Sequence, residues 1–204
     1  MLKLRVACIQ TNSSPNPEEN IAVVSALIRE ACAAGAEFIT TPEVVGMLEP
    51  NRIAALSKAQ SEEKHQVLVA FQGLALELGI WLLIGSISIK VSDTKLSNRS
   101  FLINPNGEVI ARYSKIHMFD VEVGDGNQYL ESKTYQPGSK AVIAETPWGL
   151  MGLTICYDIR FPNLFRDLAK AGAKIIFSPA AFTRVTGEAH WHVLQRARAI
   201  ENGC

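Results

Sequence analysis

A thiol, an ammonium and a carboxylate occupy comparable places along this chain: Cys156, Lys115 and Glu43. Each comes at or just beyond the end of a segment that reads as a strand. Glu43 follows one ending at Thr40, Lys115 follows one ending at Tyr113, and Cys156 closes Leu150 to Ile155. Ligands of α/β proteins collect outside the carboxyl ends of strands, so three such ends can converge on one pocket although they are far apart in sequence. The three types complement one another. Hydrolysis of an amide needs a nucleophile, a group that moves protons, and positive charge or N–H donors facing the developing oxyanion. A carboxylate partly withdrawn from water, as Glu43 would be, can hold or release a proton near neutral pH. Lys115 could favour the Cys156 thiolate and then the oxyanion. Taken singly, each residue also has an ordinary reading: Cys156 as a small core residue, Glu43 as a helix cap, Lys115 as an exposed loop residue.

The elements that must carry these residues are legible in outline. Leu4 to Gln10 reads as a buried strand. Asn16-Pro17-Glu18-Glu19 starts a helix, with Asn as cap, Pro at the first helical position and acids at the positive dipole end. Ile21, Val24, Ile28, Ala31 and Cys32 give that helix one apolar face, and Gly35 ends it. Ala36 to Thr40 is a short strand stopped by Pro42. A second helix is expected from Glu62 to Leu78, then a strand from Ile80 to Ile89. Asn104-Pro105-Asn106-Gly107 is a hairpin turn signal between two further strands. Residues 116–140 show no period and read as a long loop, which in a compact domain is often functional. Ala141 to Glu145 and Leu150 to Cys156 pair around Pro147-Trp148-Gly149. A helix near Pro162 to Ala171, a strand from Ala173 to Ser178 and a helix from Glu188 to Glu201 complete the chain. Helices alternate with strands while hairpins interrupt them, so the class is mixed α/β with part of the sheet antiparallel.

The 204 residues favour one domain, and an apolar share of 48% with 20% charged residues is enough to bury a core. Lys plus Arg balances Asp plus Glu at 20 against 20, so no strong field favours nucleic acid or an anionic membrane, and a small-molecule partner is expected. The first residues lack the features of a signal peptide, and the most apolar stretch, Ile80 to Ile89, is too short to span a bilayer. Cys8, Cys32, Cys156 and Cys204 form no CxxC pair and read as reduced thiols of a cytoplasmic protein. His190 and His192 lie two apart on a helix and point in different directions, so a shared metal ion is not expected. His65 reads as a solvated helix residue, and Arg196 and Arg198 as helix-surface or interface ion pairs. No GxGxxG or GxxxxGK[ST] pattern supports a dinucleotide or P-loop site.

Three local sequences change the weight of the single residues. Thr41-Pro42-Glu43, Tyr113-Ser114-Lys115-Ile116-His117-Met118-Phe119-Asp120 and Thr154-Ile155-Cys156-Tyr157-Asp158-Ile159-Arg160-Phe161-Pro162 resemble the three motifs of the nitrilase superfamily of carbon–nitrogen hydrolases, in the right order. The resemblance runs from Arg5-Val6-Ala7-Cys8-Ile9-Gln10 to the end of the chain. It implies a four-layer α-β-β-α sandwich, no metal or organic cofactor, and a homodimer. It also implies a cycle in which Cys156 is the nucleophile, Glu43 the general base, and Lys115 the oxyanion stabiliser together with the backbone N–H of Tyr157. Glu131 matches a second glutamate that positions the lysine and substrate.

Cys-Tyr-Asp-Ile-Arg-Phe-Pro and Thr-Gly-Glu-Ala-His-Trp look most like the ω-amidases and the amidases of deaminated glutathione, with residues 117–123 leaning towards the latter. The implied reaction turns a linear primary amide of a small carboxylate-bearing substrate into acid and ammonia through a thioester. A carboxylate substrate calls for a cation, and Arg160 and Arg184 are the candidates. Arg160 equally reads as an ion-pair partner of Asp158. The family normally continues beyond the position of Cys204, so residues 1–204 read as one hydrolase domain lacking its C-terminal strands. That leaves two other readings open: a non-catalytic family member, or an enzyme on nitriles or carbamoyl compounds with the same three residues.

Overall fold

The computed structural model describes residues 3–123 and 127–204. Five strands form the first sheet: β1 (Val6–Cys8), β2 (Phe38–Thr40), β3 (Trp81–Lys90), β4 (Leu96–Ile103) and β5 (Val109–Ser114), in the order β1-β2-β3-β4-β5. The first three run parallel, and β3, β4 and β5 pair antiparallel. A second sheet contains β8 (Val142–Thr146), β9 (Gly149–Leu153) and β10 (Ile175–Phe177), with β9 between the other two. Between them in sequence lies a two-stranded ribbon, β6 (Asp120–Val123) and β7 (Asn127–Leu130). The helices are α1 (Pro17–Ala33), α2 (Arg52–Lys58), α3 (Gln66–Leu78), α4 (Pro162–Lys170) and α5 (Arg184–Asn202).

The strand pattern forces four layers. In β3, Leu82 and Ile84 face one side and pack with Val24 and Ile28 of α1 and Phe71 and Leu74 of α3. Leu83 faces the other side and joins Leu102 and Tyr113 against Met151 and Leu153 of the second sheet. Leu164 and Leu168 of α4 then cover the outer face of that sheet at Ile143 and Ile176. The layers are therefore helices α1 and α3, sheet, sheet and helix α4, the α-β-β-α sandwich expected.

The same strand has an irregularity that positions the site. Its pairing with β4 shifts between Ile84 and Ile87. A one-residue bulge reverses which face each later side chain takes. Beyond it Ile87 and Ile89 point to the helices, in line with Leu82 and Ile84, while Ser86 and Ser88 turn the other way. Gly85 and Ser86 then hold the segment that follows β2. The Gly85 N–H donates to Thr41 Oγ1 at 3.0 Å, the Ser86 N–H to the Pro42 carbonyl at 3.2 Å, and the Val44 N–H to Ser86 Oγ at 2.8 Å. A Cβ on Gly85 would lie 2.0 Å from the Thr41 carbonyl oxygen and 2.4 Å from that of Pro42. Backbone cannot give way as a flexible side chain does, so Gly85→Ala is expected to cost about 1–3 kcal/mol. It should also lower turnover by displacing Glu43. Thermal unfolding and activity measured together check this; an alanine variant with the stability and rate of the parent removes the bulge from the account.

Several expectations need correction. The stretch 116–140 is not structureless, since it contains the β6–β7 ribbon and a 3-10 turn at Glu131–Lys133; residues 124–126 lie outside the described residues. The helix expected from Glu62 divides into a 3-10 turn, Glu62–Lys64, and α3. His65 between them is buried, not solvated, with Nε2 at 3.3 Å from the Ser88 carbonyl, and that burial favours its neutral form. Helix α2 has no counterpart in the sequence reading. The last helix begins earlier, at Arg184, where Thr183 caps it by accepting from the Thr186 N–H. The first strand contracts to three residues, Val6–Cys8.

Candidate active site

Glu43 sits in the turn after β2 that the bulge grips, and its side chain is buried at 6% exposure. The following residue, Val44, has φ +47°, a left-handed conformation that costs a β-branched residue energy. Glu43 Oε2 accepts from the Ala181 N–H at 2.8 Å and Oε1 from Asn98 Nδ2 at 2.9 Å. Lys115 is the first residue beyond β5. Its N–H donates to the Asn98 carbonyl and its own carbonyl accepts from the Gly138 N–H, so the backbone is tied on both sides. Its ammonium is 2% exposed, 3.1 Å from Glu43 Oε1 and 2.9 Å from Glu131 Oε2. Glu131 in turn accepts from the Phe119 N–H at 2.7 Å.

Cys156 does not end a strand. It opens a 3-10 turn, Cys156–Arg160, three residues after β9 ends. Its φ of +50° is left-handed, which for a residue with a Cβ costs roughly 1–2 kcal/mol. The turn is held by Asp158, which is fully buried. The Asp158 carboxylate accepts from the Ile155 N–H at 2.8 Å, the His117 N–H at 3.1 Å and Tyr113 Oη at 2.6 Å, and lies 2.7 Å from His117 Nδ1. One carboxylate thus ties β5, the segment after Lys115 and the cysteine turn together. Strain held by such a network is frequent at functional sites.

The three sequence-predicted residues therefore line one cavity of about 480 Å³, with Glu131 and Tyr157. Its walls include Met47, Phe119, Tyr129 and Phe182, with Phe119 in contact with both the Tyr129 and Tyr157 rings at 5.2 Å between centroids. Arg160 does not pair with Asp158. Its guanidinium lies 5.8 Å from the Tyr157 ring and 5.8 Å from the Phe182 ring, with Nη2 3.3 Å from His190 Nδ1. Arg184 is not in the cavity lining; it is an exposed residue paired with Glu188 at 2.9 Å. Asn98 was missed by sequence reasoning, although it bridges Glu43 and Glu131, at 2.9 and 3.4 Å. Among the described residues no group of His, Cys, Asp and Glu is arranged to hold a metal ion.

The electrostatics differ from the simplest expectation. Burial pushes the Cys156 thiol well above its ordinary value, the Glu43 charge adds to this, and Lys115 opposes without prevailing. Burial also works to raise Glu43, yet the Lys115 charge and hydrogen bonds from Cys156, Lys115 and Ala181 hold it below the usual carboxylate range. Burial acts against the Lys115 charge, but the carboxylates around it keep the ammonium protonated. The resting arrangement is therefore a neutral thiol beside an anionic carboxylate. Burial and the Glu43 charge outweigh the Lys115 charge at the thiol.

A four-layer sandwich of two sheets with this buried set in the segments that follow β2, β5 and β9 defines a protein of nitrilase-superfamily fold. The chain belongs to the carbon–nitrogen hydrolase family, which matches residues 5–204. It is 41% identical to a deaminated glutathione amidase of Yersinia enterocolitica, over all of this chain and 72% of that protein. It is 40% identical to one of Mus musculus, over 98% of this chain but only 63% of the mouse protein. The omega-amidase NIT2 of Xenopus tropicalis is 36% identical over 99% of this chain and 72% of its own length. Among solved structures, the C. elegans NitFhit protein superimposes with a TM-score of 0.87 at 32% identity, over 98% of this chain and 49% of that one. Saccharomyces cerevisiae Nit3 does so with a TM-score of 0.84 at 30% identity, over 98% of this chain and 72% of that one.

Proposed function

We propose that this carbon–nitrogen hydrolase cleaves a linear amide of a small, carboxylate-bearing acid through a Cys156 thioester. The observation that carries the reading is the lining of one cavity by the buried side chains of Cys156, Glu43 and Lys115, with the ammonium 3.1 Å from Glu43 Oε1. The substrate carbonyl carbon lies against Cys156 Sγ. As the S–C bond forms, the thiol proton passes to Glu43. The carbonyl oxygen becomes an oxyanion held by Lys115 Nζ and by the Tyr157 N–H, an early amide of the turn that lacks a partner within it. Glu43 then gives its proton to the departing nitrogen as the C–N bond breaks. A water attacks the thioester, Glu43 takes its proton and returns it to sulfur, and the acid leaves. Glu131 and Asn98 hold Lys115 and Glu43 in position through this cycle.

The relatives favour two substrate classes that differ at the leaving group. An ω-amide releases ammonia. A deaminated glutathione has only secondary amides in its tripeptide frame, so its hydrolysis releases an amine and not ammonia. The expectation of a primary amide therefore fits only the first. The two are separated by incubating the protein with an α-keto acid ω-amide and with deaminated glutathione, then assaying acid, ammonia and free amine. Stoichiometric acid with either nitrogen product is the expected result. Soluble, folded protein that turns over neither would support the non-catalytic alternative.

A homodimer is part of the same proposal. Val193 and Ile200 of α5 are 67% and 78% exposed, and lie seven residues apart on one helical face. Such a stripe favours burial against a second copy. The near-neutral charge and four free cysteines favour a cytoplasmic setting. No helix among the described residues is long and apolar enough to cross a membrane.

A further inference from the structure

We infer that a basic cleft on the far side of the β4–β5 pair from the catalytic cavity binds a small phosphate-type dianion, either free phosphate or the phosphate end of a monoester. The inference goes beyond the amidase reading and stands whether or not the chain cleaves amides. The cleft encloses about 440 Å³ and is lined by three cations, Arg99 of β4, Arg112 of β5 and Lys140, together with Ser97, Ser114 and Ser139. Among the described residues no acid lines it. Arg99 and Arg112 share a single carboxylate, that of Glu62: Arg99 Nη1 lies 2.7 Å from its Oε2, and Arg112 Nε pairs with its Oε1. One negative charge therefore meets two positive ones. Lys140 forms no ion pair among the described residues, so it adds a further uncompensated charge. Donors remain free as well. Arg99 uses Nε on Ser114 Oγ at 3.0 Å and Nη1 on Glu62, and Arg112 uses Nε alone. Arg99 Nη2 and both terminal nitrogens of Arg112 have no partner among the described residues.

The polar groups reach below the surface. Ser97 is 1% exposed, and its hydroxyl donates to Ser114 Oγ at 3.1 Å. Ser114 Oγ thus accepts from both Ser97 and Arg99, and its own hydrogen has no acceptor among the described residues. The Arg99 side chain is only 23% exposed, so water and salt screen its charge less than that of a surface arginine. The charged donors come from two strands and from the segment before β8, not from one guanidinium plane. A carboxylate presents two coplanar oxygens and suits a single fork. A phosphate spreads its oxygens in three directions and carries close to two charges at neutral pH, which matches the charge excess here. Strand alternation keeps this cleft apart from the reaction. Asn98 lies between Ser97 and Arg99 yet lines the catalytic cavity, and so does Lys115, which follows Ser114. The two sites are back to back across one sheet.

The test titrates the intact chain with inorganic phosphate, at an ionic strength held constant with sodium chloride, and follows the heat of binding. Saturable binding with a Kd on the order of 1 mM is expected from a few charged hydrogen bonds in a partly open cleft. Arg112 and Lys140 are exposed residues outside the catalytic cavity, so Arg112→Gln and Lys140→Gln should fold as the parent does. Each should weaken phosphate binding by roughly 10-fold, the loss of one charged hydrogen bond. Acetate, a planar monoanion, should bind the parent at least about 10-fold more weakly than phosphate. Glycerol phosphate separates the two sources: binding tighter than that of inorganic phosphate assigns the site to a monoester, and equal or weaker binding assigns it to free phosphate. A phosphate affinity that either variant leaves unchanged places the anion elsewhere on the chain and overturns the inference. The absence of saturable binding, or acetate bound as tightly as phosphate, overturns it too.

Discussion

Cys156→Ala is expected to fold as the parent does and to lose turnover by roughly 10⁴-fold or more, the scale seen when a covalent nucleophile is removed. The change deletes one sulfur atom from a small side chain held chiefly through its backbone. The Cys156 N–H still donates to the Pro179 carbonyl at 2.8 Å, and Asp158 still ties the turn. Stability and near-UV circular dichroism should therefore stay close to those of the unaltered chain. The pH profile of that unaltered chain carries the complementary evidence. Glu43 acts as a base only when ionised, and the cavity depresses its pKa. Activity should hold through the neutral range and fall only below the ordinary carboxylate range, as pH drops through the depressed value. Because the thiol is held protonated, alkylation of Cys156 by iodoacetamide should be slow at neutral pH and accelerate as pH rises. Ordinary turnover in the alanine variant would end the mechanism. An acid limb near neutrality would mean that Glu43 is not the base.

What could be read in the sequence was the part written in local residue order. Proline, asparagine and glycine mark the ends of α1 and α3, and Gly79 takes the left-handed conformation at the end of α3. The three motifs located Glu43, Lys115 and Cys156, because each is fixed by a few neighbours in the chain. What escaped was the part set by distant contacts. The bulge at Gly85 is visible only once β3 is paired with β4. Asn is a disfavoured type in a pleated segment, yet Asn98 lies within β4. That misfit was the available signal, since a polar residue is tolerated there when it has partners such as Glu43 and Glu131. Asp158 was judged by its neighbour Arg160, two residues away, while the side chains it binds are those of Tyr113 and His117, more than forty residues back.

Lys115→Ala is expected to be damaging twice over, and the two effects can be separated by pH. Removing the ammonium takes away one oxyanion donor, which costs about 3–4 kcal/mol in the barrier. It also leaves Glu43 and Glu131 beside each other in a site from which water is largely excluded, joined by Asn98 but without a cation. Breaking such a buried pair typically costs about 3–5 kcal/mol of stability, much of it from the uncompensated charge left behind. For Glu43 the largest single influence is burial, which raises its pKa, and the Lys115 charge is the largest of the influences that lower it, ahead of the hydrogen bonds from Cys156, Lys115 and Ala181. Without the lysine the direction is expected to reverse. In the unaltered chain Glu43 contributes stability that is present above its unfolded pKa and is lost as pH falls through the lower folded value. In the variant its folded pKa lies above the unfolded one, so stability is greatest below the unfolded pKa and is lost as pH rises through the folded value. Thermal midpoints measured from pH 4 to 8, about the range in which carboxylates titrate, should rise with pH in the parent over its acidic part and fall with pH in the variant. Parallel curves would show that Lys115 does not set the ionisation of Glu43, and the coupling of ammonium to base on which the proposed cycle depends would be gone.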